Sequence, residues 1–191
     1  DINTDPNSPA VDNITSDMIF PGVEMAVATV YGDLLRIPCG YFAQYYAQTF
    51  GTSNYLDYSQ FAASTSRSNS AYAQMYQKGI NNAVTVMSKS AAEGKWGTYL
   101  AATTMKTFAF VTLVDIFGEV PYTEAVAGIN APKYDDGLTV YKGVLAELDA
   151  ALAKASPADL VCTNFLFPGE PAEPWIQFAN ALKLRILTRM T

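Results

Sequence analysis

Apolar side chains recur at helical spacing along most of this chain, and that periodicity limits the folds it can adopt. The pattern is clearest over residues 138–155, where apolar positions alternate steps of three and four: Leu138, Tyr141, Leu145, Leu148, Leu152 and Ala155. Such steps put these residues on one face of a helix, which must pack against a core. Asp135 or Asp136 is placed to cap this helix. No stretch shows sustained strand alternation with hairpin turns, so the sequence predicts an all-α fold.

The first predicted helix carries its own apolar stripe: Val23, Val27, Val30, Leu34 and Ile37. Pro21 suits the first turn of this helix, where a missing backbone N–H is tolerated. Pro38 is expected to end or kink the helix, and residues 39–50 are expected to continue as a second helical piece. Residues 1–15 are rich in Asp, Asn and Pro and predict an extended tether, so we place the helical domain at residues 16–191.

Three further helices are predicted by the same reasoning. A second stripe predicts a helix that Gly94 is placed to end: Tyr72, Tyr76, Ile80, Ala83, Met87 and Ala91. Residues 98–117 are apolar on nearly all sides, so their helix should be buried centrally. The last stripe comprises Trp175, Phe178, Leu182 and Ile186. The succession of long helices suggests antiparallel helix pairs, although no strict 34-residue tetratricopeptide consensus is visible.

Charge and residue types exclude several functional classes. The 191 residues carry a net charge of -6, the opposite of a typical nucleic-acid binder, so no nucleic-acid partner is expected. The absence of His removes the commonest general base and metal ligand, and we predict no cofactor and no metal. No apolar run reaches the roughly 18 residues that span a bilayer. Cys39 and Cys162 can pair in an exported protein, but two buried free thiols are the more common arrangement.

Candidate catalytic groups are weak. Glu119 with Glu124, and Glu170 with Glu173, are carboxylate pairs of the kind that hydrolyse glycosides when they face each other across a groove. Proximity in sequence does not place them so, and solvated loop acids are the favoured interpretation. Without His the usual serine triad cannot form, and no phosphate-binding glycine loop is present. We therefore expect no enzymatic activity.

Individual residues near the helix ends have alternative roles. Arg185 and Arg189 lie four apart on one helical face and can bind an acidic ligand, but pairing with neighbouring carboxylates is favoured. Asn180 is predicted to bond a loop backbone within the core. Trp175 is predicted to be a buried anchor of the last helix, and Trp96 a local packing residue at a turn between helices.

Four phrases, in order along nearly the whole chain, together resemble the SusD/RagB-like outer-membrane lipoproteins. DINTDPNSP at the start resembles the mature proteins just after their lipid-bearing cysteine. VDIFGEVPYTEA (114–125) resembles the family's turn after a central helix, and APKYDDGLTVYKGVLAELDAAL (131–152) resembles the segment after that turn. WIQFANALKLRILTRM (175–190) resembles the family's tryptophan helix.

The resemblance implies tetratricopeptide-like helix pairs with long loops and a non-catalytic protein that binds glycans or other nutrients. It implies an outward-facing lipoprotein of the outer membrane, held by a lipid anchor upstream of this chain. Its partners would be an oligosaccharide and a SusC-type TonB-dependent transporter, which it covers as a lid. Family members are longer, so the chain is expected to stop before a C-terminal half. The alternative is a helical-repeat scaffold that binds only protein.

Any glycan contact is predicted in the loop over residues 51–69. Because the loop is polar, it should lie at the surface, yet it holds three aromatic residues that continue no helical stripe. Tyr55 and Tyr58 can stack on the apolar face of a sugar ring. Asn54 and Arg67 supply an amide and a fork of N–H donors for its hydroxyl groups. The alternative is that these rings fold back and cap the helices beneath.

Overall fold

The computed structural model describes residues 14–191, so nearly all of the predicted tether at residues 1–15 lies outside the described residues. The α-helices in chain order are α1 (Ser16–Thr29), α2 (Arg36–Phe42), α3 (Leu56–Ser59), α4 (Asn69–Gln74), α5 (Asn81–Ala92), α6 (Trp96–Phe117), α7 (Gly137–Leu152) and α8 (Glu173–Arg189). The structure is 63% helical, and between residues 14 and 191 extended pairing is limited to one bridge, Val120 with Asp135. The all-α prediction is confirmed.

The start of the first helix differs from the prediction. α1 begins at Ser16, so Pro21 lies inside the helix rather than in its first turn. Between Val30 and Leu34 the backbone widens to π-helical geometry, in which the Leu35 N–H donates to the Val30 carbonyl at 2.9 Å. A π-helical turn of this kind adds a residue to the helix and shifts the register of the turns after it.

The predicted helical piece over residues 39–50 is wrong. α2 includes Pro38 and ends at Phe42, and the chain then runs without helix to Leu56. Pro38 lies in the first turn of α2, where backbone N–H groups need no intrahelical acceptor, so its ring is tolerated. Loop contacts set the course of the segment between α2 and α3 instead, and these contacts build part of the candidate site.

The central position of α6 is confirmed. It packs against α1, α5, α7 and α8. The turn that leads from α5 into α6 is short, so the two helices form an antiparallel pair.

Ser16–Phe42 and Trp96–Phe117 are both long and apolar enough to cross a membrane by length and composition, contrary to our prediction from apolar runs. The Trp96–Phe117 window is 72% buried within the protein, as expected of a core helix.

Gly94 ends α5 as predicted. Its φ is +69°, in the left-handed region that glycine adopts without strain, and the Lys95 N–H then donates to the Ser90 carbonyl at 2.9 Å. At the start of α7 it is Asp136 that caps the helix, because its carboxylate accepts from the Thr139 N–H at 2.9 Å. Asp135 instead accepts from the backbone N–H groups of Tyr122 and Thr123, at 3.1 and 2.7 Å.

One buried carboxylate joins the three C-terminal long helices. Asp115, in the last turn of α6, has a side chain only 10% exposed. It accepts hydrogen bonds from the hydroxyl of Tyr141 on α7 at 2.6 Å and from Arg185 on α8 at 3.0 Å. It also forms an ion pair with Arg189 of α8, whose nearest guanidinium nitrogen lies at 3.1 Å. The prediction that the arginine pair bonds a neighbouring carboxylate is confirmed. Burial and the bond to Asp115 raise the pKa of Tyr141 to about 12.

The long connection between α7 and α8 is fastened to α1. The Glu24 carboxylate, almost fully buried, accepts from the N–H groups of Phe165 and Leu166 at 2.6 and 3.2 Å. Asp17 accepts from the N–H of Thr163 at 2.8 Å. These bonds fasten exposed loop residues to α1 and give the buried Glu24 carboxylate its hydrogen-bond partners.

Asn180 does not take the core role predicted for it. It lies exposed on α8, while Ala179 beside it is buried. Five residues advance a helix by about 140° beyond one full turn, so position 180 points well away from the stripe that begins at Trp175. The prediction that Asn180 bonds a loop backbone within the core is therefore wrong.

The two cysteines are free. Cys39 is exposed, contrary to the expectation of two buried thiols, because α2 turns that side toward solvent. Cys162 is half-buried in the loop that packs on α6, and burial raises the pKa of its thiol to about 12.

Trp175 is fully buried, as predicted, with ring centroids of Phe167, Phe20 and Phe178 at 5.1, 5.6 and 6.2 Å. We predict that Trp175→Ala lowers the free energy of unfolding by roughly 3–5 kcal/mol, because it removes a large ring and leaves a cavity. Trp175→Phe should cost clearly less. Denaturant unfolding followed by circular dichroism measures both, and a loss below about 1 kcal/mol for the Ala variant would contradict the anchoring role.

Asp135 provides a pH test. Its bonds to the Thr123 and Tyr122 backbone hold the pKa of the carboxyl below the ordinary value of 3.8. A lowered folded-state pKa contributes stability that is present above the unfolded-state pKa and is lost as pH falls. We predict that Asp135→Asn costs about 1.5–3 kcal/mol near neutral pH and progressively less below about pH 4. A constant difference between pH 7 and pH 2.5 would contradict the assignment.

Candidate functional site

The loop between α2 and α4 folds onto the end of α2 and forms an aromatic cluster there, made of Tyr41, Phe42, Tyr55, Tyr58 and Phe61. Tyr41 lies 5.6 Å from Tyr55 and 6.3 Å from Tyr58 between ring centroids, and Tyr55 stacks on Tyr58 at 6.1 Å. Phe42 stacks on Phe61 at 5.8 Å. The rings therefore support one another outside the main helical core.

Arg67 closes the cluster from the other end of the loop. Its guanidinium makes a bidentate pair with Asp57, at 2.7 and 2.9 Å, and donates to the Asn54 carbonyl at 2.7 Å. Its central carbon lies 5.3 Å from the Tyr58 ring centroid and 6.0 Å from that of Tyr55. The bond from Arg67 holds the pKa of the Asp57 carboxyl below its ordinary value. Loop residues far apart in sequence are thus fixed to one another.

The four residues predicted as ligand contacts lie together but differ in exposure. Tyr58 is only 7% exposed, so its ring supports the cluster from below and offers a ligand little surface. Tyr55 is half-buried, and Asn54 and Arg67 are exposed. Tyr58 fits the alternative in which rings fold back onto the helices, whereas the other three keep groups at the surface. Their contact with a ligand stays a prediction.

Tyr41 and Tyr46 belong to this surface and were missed, because residues 39–50 were assigned to a helix. Tyr46 packs edge-on against Tyr41 at 5.9 Å and accepts from Arg36 at 3.2 Å. A Cβ atom at Gly40 would lie 2.2 Å from the Tyr46 ring, so this close approach requires glycine. The density of aromatic residues in YFAQYY was the available signal.

Two adjoining clefts open beside the cluster. The smaller, of about 460 Å³, is lined by Tyr41 and Tyr55 of the cluster and by Arg36, Tyr45 and Tyr46. The larger, of about 830 Å³, shares the last three residues and continues between α2, α6 and α8. Both volumes fall within the range of small-molecule sites in proteins. The aromatic cluster therefore lies at one end of a continuous concave surface.

The chemistry of this surface favours binding. Aromatic faces, phenol hydroxyls and guanidinium N–H groups can stack on and hydrogen-bond to a polar ring compound. Within residues 14–191 no three Cys, Asp or Glu side chains are grouped so as to hold a metal ion. Of the loop acids considered as catalytic pairs, Glu119, Glu170 and Glu173 are exposed, and Glu124 accepts from the Lys133 N–H at 2.9 Å.

Comparison with known proteins gives a consistent result. Residues 23–191 match the sequence model of the SusD-like family, which is described as starch-binding and associating with outer membrane. A comparison with curated protein sequences found no match.

Solved structures share the fold. A chitin-binding protein superposes with a TM-score of 0.76 at 22% identity, over 92% of this chain and 39% of its own. A SusD/RagB family protein from Bacteroides thetaiotaomicron gives 0.76 at 22%, over 93% and 38%. A SusD-like protein from Bacteroidetes gives 0.69 at 23%, over 90% and 32%. The chain therefore spans less than two fifths of the length of these structures, and its helices share their tetratricopeptide-like arrangement.

Proposed function

Since this chain belongs to the SusD-like family, we propose that it binds glycans or other nutrients at the outer membrane without catalysing a reaction on them. The family description, starch-binding and associating with outer membrane, supports both the ligand class and the location. A superposable structure that is named a chitin-binding protein supports the same class. Binding is compatible with a chain that has no His and therefore lacks the commonest general base.

The proposal includes a partner and an anchor. In it, the protein is a lipoprotein on the outward face of the membrane, held by a lipid anchor upstream of Asp1, and it covers a SusC-type TonB-dependent transporter as a lid. The resemblance of its sequence phrases to SusD/RagB-like lipoproteins and the family description support this part. A lid needs a rigid scaffold, which the buried contacts of α6 with α7 and α8 supply.

The observation that carries the proposal is the aromatic cluster with its polar rim. In the proposed complex the exposed part of the Tyr55 ring stacks on the apolar face of a sugar. The Asn54 amide and the guanidinium edge of Arg67 hydrogen-bond to its hydroxyl groups. Tyr58, buried beneath, keeps Tyr55 in place. Because Asp57 and the Asn54 carbonyl already orient Arg67, little side-chain freedom is lost on binding.

We predict that single replacement of Tyr55 or Arg67 by Ala weakens binding of a recognised oligosaccharide at least tenfold, about 1.4 kcal/mol, for one of the two. Tyr58→Ala should weaken binding as well, but with a measurable loss of thermal stability, because its ring is packed in the cluster. Calorimetric titration with starch and chitin oligosaccharides provides the measurement, after a screen of a glycan panel has identified the ligand.

Tyr134→Ala is the matched control, since Tyr134 is an exposed tyrosine in a loop that contributes to neither cleft. It should bind like the wild type. If all three cluster variants bind like the wild type, the loop is not the site. If the protein binds no member of the panel yet binds a transporter, the helical-repeat scaffold without its own ligand site is the correct function.

A further inference from the structure

The larger cleft beside the aromatic cluster is lined by more positively than negatively charged side chains, whereas the whole chain is acidic. Its wall on α2 carries Arg36, and its wall on α8 carries Arg185 and Arg189. Asp115 is the one carboxylate among the lining residues. Three guanidinium groups stand against two carboxylates, Asp115 in the lining and Asp33 beside Arg36, so this cleft keeps a net positive charge although the chain as a whole carries -6.

The guanidinium groups keep hydrogen-bonding capacity for a ligand. Asp115 accepts one N–H from Arg185 and forms an ion pair with Arg189, and each guanidinium has five N–H donors. Arg189 is 44% exposed, so part of its planar edge faces the cleft and solvent. Arg36 donates from Nε to the Gly32 carbonyl at 2.8 Å and from a terminal nitrogen to the Tyr46 hydroxyl at 3.2 Å. Its pair with Asp33 at 3.7 Å joins two side chains more than half exposed and is weak, so N–H groups of Arg36 remain for a ligand.

The position of the cleft connects it to the aromatic cluster. Arg36, Tyr45 and Tyr46 line both clefts, and the smaller one is also lined by Tyr41 and Tyr55 of the cluster. A chain of sugar rings that stacks on Tyr55 can therefore continue past Arg36 toward α8. The apolar wall formed by Tyr31, Leu35 and Ile116 leaves the arginines as the main polar groups that such a ring would meet.

We propose that this cleft binds the acidic group of a glycan, a carboxylate of a uronic acid or a sulfate ester, between Arg36 on one side and Arg185 and Arg189 on the other. The inference rests on the proposed function and narrows its ligand class to anionic glycans. The physical basis is that planar guanidinium groups form paired, charge-assisted hydrogen bonds with carboxylate and sulfate oxygens. The buried Asp115 orients two of these arginines before the ligand arrives, which lowers the ordering cost.

The overall charge of the protein sharpens the expectation. At long range a net charge of -6 repels an anion, so an acidic glycan is held only by contacts within the cleft. Neutral glycans lack this attraction and depend on the aromatic cluster alone. Salt screens both the long-range repulsion and the arginine contacts, so it should change the affinity for acidic ligands and leave that for neutral ligands almost unchanged.

Calorimetric titration with matched ligand pairs tests the proposal. One pair is an oligogalacturonate and its methyl ester; the other is a sulfated galactan oligosaccharide and its desulfated form. The protein should bind the acidic member of at least one pair at least about tenfold more tightly, the worth of one charge-assisted hydrogen bond. The pair that shows the preference identifies carboxylate or sulfate as the group bound.

Variants locate the acidic group. Arg189→Gln and Arg36→Gln should each remove most of the preference for the acidic member. The preference is read as the ratio of its affinity to that of its neutral partner, because Arg36 also lines the smaller cleft. Lys183→Gln is the matched control, since it removes one positive charge from the same helix but lies outside the cleft and pairs with Asp149. Thermal unfolding checks each fold. Because Arg36 is exposed, its variant keeps the test valid if Arg189→Gln is unstable.

The outcomes separate the two proposals. Equal affinity for acidic and neutral members, or a preference that survives both arginine variants, overturns the acidic-group site and leaves glycan binding intact. A preference that Lys183→Gln also removes shows a general charge effect and overturns it too. If no member of either pair binds and the neutral glycan panel also fails, it is the proposed function that fails.

Discussion

The carboxylate of Asp115 is the point at which the helical framework is fixed. It lies in the last turn of α6, accepts from Tyr141 of α7 and Arg185 of α8, and forms an ion pair with Arg189 of α8, so one side chain links three helices. Breaking such a buried pair is costly because the remaining charges lose their partners in a medium that solvates them poorly. The same contacts aim two guanidinium groups into the larger cleft, so the framework and the proposed acidic-group site depend on one residue.

The three phrases of the family resemblance that lie within residues 14–191 belong to this framework. Tyr122, from the Val-Pro-Tyr turn, donates through its hydroxyl to Glu147 of α7 at 2.7 Å, and Lys106 of α6 binds the same carboxylate. Asp135, from the Tyr-Asp-Asp phrase, accepts from the backbone of that turn. These are buried or half-buried polar contacts, which lose much more when one partner is removed than an exposed group does. They specify the fold and carry little information on the ligand.

The proposed ligand contacts lie instead in the segment between α2 and α4, which none of the four phrases covers. Its rings and its Arg67–Asp57 pair lie outside the main core, where exchange of side chains costs the framework little. This division allows one scaffold to present different binding surfaces. In our proposal the positive cleft beside it adds a preference for charge to a stacking surface. Two of its arginines, Arg185 and Arg189, also pair with Asp115 and so belong to the helical framework.

Four sequence phrases indicated the family, and a glycine marked the end of α5 at Gly94. Local periodicity in the sequence determined most of the helices and the burial of α6 and Trp175. These features depend on spacing within one element, where a step of three or four residues fixes which face is apolar. Tertiary structure alone decided the course of residues 43–55, the burial of Tyr58 and the exposure of Cys39. In each of these cases the outcome depends on side chains distant in sequence, such as Tyr46 against Gly40 or Arg67 against Asn54, which no local pattern records. The clefts arise for the same reason, since their walls come from α2, α6 and α8 at once.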